Sequence, residues 1–152
     1  TYLRSALAGS RSDTTTLRAE FAQLAAYLEI MSLRLGRRLR YQLDLPEALQ
    51  QATVPAMLLQ PLVENAIKHG IEPKIGGGAI AVTARSTTGS LELEVADPGL
   101  GLPPDHDPDH SSDSYGLVHV RDRLRALYGS HASLRLQANK PQGTLATVRI
   151  PA

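Results

Sequence analysis

Apolar residues recur along the first third of the chain at steps of three and four. Leu17, Phe21, Leu24, Leu28, Met31 and Leu35 predict an amphipathic helix over 14–35, with Thr16 as its N-cap. The period then changes. Leu39, Tyr41, Leu43 and Leu45 alternate with Arg40, Gln42 and Asp44, which predicts a strand, and Pro46 closes it because proline has no N–H for a ladder. A second helix is predicted over 55–70. Pro55 suits its first turn, and Leu58, Leu59, Leu62, Val63, Ala66 and Ile67 share one face, with Gly70 placed to end it. "AIAVTARS" (79–86) and "LELEVAD" (91–97) read as strands joined near Gly89. Residues 98–114, rich in Gly, Pro, Asp and Ser, read as a loop. "YGLVHVRDRLRALYG" (115–129) predicts a helix with Leu117, Val120, Leu124 and Leu127 on one face and Gly129 just past its end. "ASLRLQAN" and "GTLATVRI" predict a closing hairpin. Isolated helices between runs of adjacent strands favour an α+β fold, with helices on one face of a mixed sheet.

Composition narrows this picture little. A chain of 152 residues is about one domain with room for a sizeable core. Its 42% apolar and 20% charged residues are those of an ordinary globular protein. A net charge of +1 lacks the basic footprint of a nucleic-acid binder. The absence of cysteine excludes disulfides and thiolate metal sites, and no apolar run is long enough to span a membrane.

The candidate chemistry lies in four places. In the 55–70 helix, Glu64, Asn65, Lys68 and His69 fall together on the sector opposite the apolar face. A carboxylate, an amide oxygen and a cation so placed suit a hydrated Mg²⁺ and a phosphate, or simply a solvated helix face. In "VADPGLGL" (95–102), Asp97 leaves a strand as an acceptor for an exocyclic amine such as adenine's, and Gly99 and Gly101 permit close approach to a ligand. The same letters are also compatible with a plain Pro-Gly turn. No P-loop signature occurs, and a long loop rather than a helix follows the glycines, which argues against a dinucleotide fingerprint. Gly116 opens a helix whose N-terminal N–H groups suit phosphate oxygens, or serves as an ordinary N-cap. Asp105, His106, Asp107, Asp109 and His110 cluster in the loop, but Zn²⁺ asks for a rigid frame that such a segment does not offer. Thr144, at the start of the last strand, could give a hydroxyl to a purine edge.

The order "VENAIKHG", "DPGLG", "YGLVHVRDRL" and "GT" resembles the N, G1, G2 and G3 boxes of GHKL-type ATP-binding domains. The stretch "LLQPLVENAIKHG", preceded by a helix like "LRAEFAQLAAYLEIMSLRLG", is closest to the catalytic domain of LytS-type sensor histidine kinases, over residues 14–152. The resemblance implies a two-layer Bergerat-type α/β sandwich, its mixed sheet mostly antiparallel, with ATP and Mg²⁺ as cofactors and a mobile lid over 98–115. It implies Asn65 as the Mg²⁺ ligand, Glu64 as the acid beside it, and Lys68 and His69 near the phosphates or lid. It further implies Asp97 on the adenine amine, Gly99 and Gly101 along the base, Gly116 and Leu117 beneath the phosphates, and Thr144 supporting adenine. Residues 1–35 would then be the end of an upstream dimerisation region with its leading helix, and 36–152 the catalytic domain. No P-H-F-x-x-N-like phosphoacceptor motif occurs, and "TYLRSALAG" reads as the tail just after one. The implied parent is a bacterial homodimer whose catalytic part is cytoplasmic. It would transfer the ATP γ-phosphate to that upstream histidine and then to a response regulator. Neither a nucleic-acid partner nor a membrane span is expected of this stretch.

Three positions depart from the pattern: Pro98 in D-N-G-x-G, Ser114 in G-x-G-L, and His119 where Asn is usual. They leave two alternatives open, a GHKL module that binds without catalysis and an anti-sigma-factor-type serine kinase.

Overall fold

The computed structural model describes residues 14–99, 117–139 and 143–152. The first helix, α1, runs Leu17–Leu35, and Thr16 caps it by accepting a hydrogen bond from the Ala19 N–H at 3.2 Å. Gly36, at φ 61°, ends it in the left-handed region. The predicted helix began three residues too early. Thr14–Thr16 instead form strand β1, paired antiparallel with β3 (Thr53–Pro55), because a run of β-branched residues favours extended backbone. Pro55 therefore lies in that short ribbon and not in a helix.

Strand β2 covers Leu39–Asp44. Helix α2 begins at Gln60, with Pro61 in its first turn, and is α-helical to Ala66. It then widens into a π turn over Ile67–Ile71, in which the Glu72 N–H donates to the Ile67 carbonyl at 2.9 Å. Gly70 thus sits inside the helical run rather than at its end. Strands β4 (Gly78–Thr87) and β5 (Ser90–Asp97) meet at Gly89, which has φ 71°. Helix α3 (Val118–Tyr128) ends at Gly129, and β6 (Ser133–Ala138) and β7 (Thr144–Pro151) form the closing hairpin.

Among the described residues the main sheet has five strands in the order β2-β4-β5-β7-β6, parallel between β2 and β4 and antiparallel elsewhere. The parallel pair is possible because β3 and α2 lie in the crossover between its strands. Alternation divides the sheet's faces. Val82 opposes Val95, and Ala84, Leu93 and Val148 align across three strands, all buried with Leu24, Leu28, Leu62, Val63 and Leu124 of the helices. This is the expected α+β sandwich, two layers with one core. Leu127, expected on the buried face of α3, is 51% exposed instead, because the core-facing stripe of Val120 and Leu124 continues at Tyr128.

The opposite sheet face is polar. Glu92 is only 7% exposed there, since Arg85 at 3.3 Å and Arg149 at 3.5 Å, its cross-strand neighbours, fold over it.

Candidate functional site

The site lies where α2 meets the end of β5, and its position begins with a buried carboxylate far from it. Glu20 of α1, 1% exposed, accepts the N–H groups of Met57 at 3.1 Å and Leu59 at 2.8 Å. This holds the loop entering α2, where Met57 adopts φ 61°, a conformation costly for a side chain with a Cβ. From the other side, an Arg123 guanidinium N–H of α3 donates to the Ala56 carbonyl. Beyond the π turn, Arg38 donates to the Ile71, Glu72 and Lys74 carbonyls at 3.4, 2.8 and 3.1 Å, and Arg34 pairs with Glu72 at 2.5 Å. The α2 segment is thus anchored at both ends by side chains of its neighbours.

Along α2, Leu62, Val63, Ala66 and Ile67 are buried as predicted, while Glu64 and Lys68 are exposed and Asn65 and His69 half-buried. The carboxylate of Glu64 accepts from Gln60 at 3.2 Å one turn earlier. Burial, and then the Glu64 charge, raise the Tyr27 phenol, so α1 borders this sector. Burial and then Lys68 lower His69, which favours its neutral form near pH 7.

Asp97, the last residue of β5, is 6% exposed on the helix-facing side of the sheet. Burial raises its carboxyl above the usual range, opposed by backbone N–H donors of Gly99 and Thr144 and by the Lys74 charge. The Gly99 N–H donates to Oδ1 at 2.9 Å. The π turn closes on this carboxylate. A Cβ on Gly70 would lie 2.5 Å from Asp97 Oδ1, and one on Gly99 would lie 2.4 Å from the Gly70 Cα. From β7, Gly143, at φ 108°, leaves space for the Asp97 carbonyl, which accepts the Asn139 amide at 3.0 Å.

The fold therefore brings together Gly70, Asp97, Gly99 and Thr144, with the backbone of His69. Glu64 and Asn65 lie on the same helix one to two turns before Gly70, and Lys68 lies in the π turn two residues before it. Leu117 is a core residue, 1% exposed, and contributes a side chain to the interior just before α3. Gly101, Gly116, Ser114 and the 98–115 loop, apart from Pro98 and Gly99, lie outside the described residues. Sequence reasoning missed Glu20, Lys74 and Asn139. Glu20 had a legible signal, a carboxylate set among Leu17, Phe21 and Leu24 on the buried stripe; the others meet the site only through long-range contacts.

Residues 51–152 match the family of histidine kinase-, DNA gyrase B-, and HSP90-like ATPases. The chain belongs to this family. It is 34% identical over 140 residues to the sensor histidine kinase BtsS of Escherichia coli, covering 92% of this chain and 24% of that protein. It is 30% identical over 158 residues to the sensor protein LytS of Bacillus subtilis, covering 99% of this chain and 27% of LytS. The chain thus spans about a quarter of the length of these relatives. In fold it is similar to the catalytic domain of the histidine kinase ThkA, with TM-score 0.70 and 17% identity over 91% of this chain and 94% of that one. The histidine kinase AdeS of Acinetobacter baumannii gives TM-score 0.68 and 17% identity, over 91% of this chain and 66% of that one. Among the described residues no helix is long and apolar enough to cross a membrane, and no group of three His, Asp or Glu could hold a metal by itself.

Proposed function

We propose that this chain is the ATP-binding catalytic domain of a two-component sensor histidine kinase. In the full-length homodimer it serves transfer of the ATP γ-phosphate to a histidine in an upstream dimerisation region, for relay to a response regulator, and it works in the bacterial cytoplasm. The observation that carries this reading is Asp97. It is a buried carboxylate at a strand end, with Oδ1 occupied by Gly99, packed directly on the helix that bears Asn65. An acceptor kept from water is suited to read the exocyclic amine of adenine.

Asn65 and Glu64 supply oxygen donors of the kind Mg²⁺ takes, and their small number suits an ion that arrives largely ligated by water and phosphate. When bound, Mg·ATP supplies the phosphoryl group and neutralises its charge. The chain's own residues then divide the work. Asn65 would hold the ion, and Glu64 beside it is a candidate base or water-positioning group. Lys68 presents positive charge to the phosphates, and the neutral imidazole of His69 offers a hydrogen-bonding group there. Thr144 and Gly99 flank the base, while Gly101, Gly116 and Leu117 are assigned to the base and phosphate borders.

The Pro98 departure is compatible with this assignment, because the hydrogen bond to Asp97 Oδ1 comes from Gly99 rather than from residue 98. Calorimetric titration with ATP tests the proposal. Saturable binding that requires Mg²⁺ is expected; no binding at millimolar ATP would favour a module that has lost the nucleotide.

A further inference from the structure

Lys74 stands outside every motif considered so far, in the short connection between the π turn and β4. Its backbone is held on three sides. The Lys74 N–H donates to the Ile71 carbonyl at 3.1 Å, and the Lys74 carbonyl accepts from Gly77 at 3.0 Å and from Arg38 at 3.1 Å. A side chain so rooted gives up little further freedom when it takes a fixed partner. That partner is the Pro98 carbonyl, reached by Nζ at 2.6 Å, one residue beyond Asp97.

The peptide between Pro98 and Gly99 then does two things at once. Its carbonyl accepts the Lys74 ammonium, and its N–H, that of Gly99, donates to Asp97 Oδ1 at 2.9 Å. A charged donor on a carbonyl polarises the whole amide and strengthens its N–H as a donor. Lys74 therefore acts on the Asp97 carboxylate by two routes, through this relay and directly by its charge. Proline at position 98 makes the arrangement more consequential, since it removes the N–H nearest in sequence that could have served the same carboxylate.

Among the described residues, Lys74 is the cation whose charge bears on Asp97. The π turn presents Gly70 and the His69 carbonyl, β7 presents the Thr144 N–H, and Asn139 holds the Asp97 main-chain carbonyl. Gly78, opening β4, packs against the Pro98 ring where a Cβ would fall 2.3 Å from Cγ, so the turn that Lys74 grips is also confined from below.

We infer that Lys74 is a positioning residue for base recognition: through the Pro98–Gly99 peptide it fixes the orientation in which the Asp97 carboxylate meets the purine amine. The inference rests on the reading of Asp97 as the adenine acceptor, and it locates base specificity partly in a residue that touches neither base nor phosphate.

The test uses the full chain with Lys74→Met, Lys74→Arg, Asp97→Asn and the Lys74→Met/Asp97→Asn pair, titrated with ATP, ADP and GTP. Lys74→Met is expected to weaken ATP and ADP by a similar factor, about tenfold for loss of one charge-assisted hydrogen bond. The preference for ATP over GTP should fall by about as much, while the dependence on Mg²⁺ stays. Lys74→Arg should retain most of the preference, and the double variant should be little worse than Asp97→Asn alone, since both act through one carboxylate. An unchanged ATP-to-GTP ratio in Lys74→Met, or additive losses in the pair, would overturn the inference while leaving the nucleotide site intact. Carboxyl ¹³C titration of Asp97 decides the matter without any nucleotide. Its midpoint must rise in Lys74→Met, and an unmoved midpoint refutes the role of Lys74 even if the wild-type chain binds no ATP.

Discussion

Asn65 and Asp97 carry different burdens, and single substitutions separate them. Asn65 lies half-buried on α2, so removing its amide removes little packing. Asn65→Ala is expected to leave the fold intact and to abolish most of the Mg²⁺-dependent gain in ATP affinity; a variant that keeps the wild-type gain would remove Asn65 from the metal. Asp97 is a residue the fold tolerates rather than welcomes. Its folded-state carboxyl sits above the ordinary value of 3.8, burial being the main cause. The unfolded chain therefore ionises first as pH rises. The contribution of the neutral carboxyl to stability is fully present below 3.8 and is lost as pH climbs through the raised folded value. Asp97→Asn should accordingly match the wild type near about pH 4 and be the more stable of the two near about pH 7, while binding ATP less well. Urea midpoints at both pH values check this, and a variant less stable at neutral pH would show that the ionised form is favoured by the fold.

At the scale of elements, the start of α2 depends on α1 more than on its own sequence. Leu59 provides no side-chain cap, but its own N–H, one of the unpaired groups at the helix start, is bound by Glu20 from across the core. Glu20→Ala would leave the buried Leu59 N–H and the Met57 N–H without acceptors, a loss of roughly 1–3 kcal/mol for each that stays dry. Chemical denaturation should show about 2–5 kcal/mol of destabilisation, with Glu20→Gln costing less because one acceptor remains. A loss under about 0.5 kcal/mol in Glu20→Ala would mean that water or a rearranged loop replaces the carboxylate. The π turn follows the same logic. It inserts one extra residue where Gly70 must pass Asp97, and π turns often mark functional sites.

For the whole molecule, a nucleotide at the proposed site would join parts that are distant in sequence, so binding should stabilise them together. With Mg·ATP at about 100 times its Kd, linkage adds about 2.7 kcal/mol to the folded state. For a chain of this length the melting midpoint is expected to rise by several degrees, more for ATP than for GTP. A midpoint insensitive to Mg·ATP at saturating concentration would argue against binding to the folded state.

Periodicity alone determined the helices, the main strands and the α+β arrangement, because burying one face of a helix or strand writes a repeat of 3.6 or 2 into the chain. It also displayed Glu64, Asn65, Lys68 and His69 on one sector of α2, and Asp97 at a strand end. It misplaced what pairing and register decide. Thr14–Thr16 and Pro55 form a ribbon because each strand finds the other 37 or more residues away. Gly70 looked like a helix terminus, yet its lack of a Cβ serves the carboxylate of Asp97. Lys74, Glu20 and Asn139 act through one or two hydrogen bonds to distant backbone, and such contacts leave no period to read. The sequence by itself thus settled most of the buried faces and the grouping of polar residues on one sector of α2. The tertiary structure decided how the carboxylate of Asp97 is held, since that depends on backbone groups that only the folded chain brings within reach.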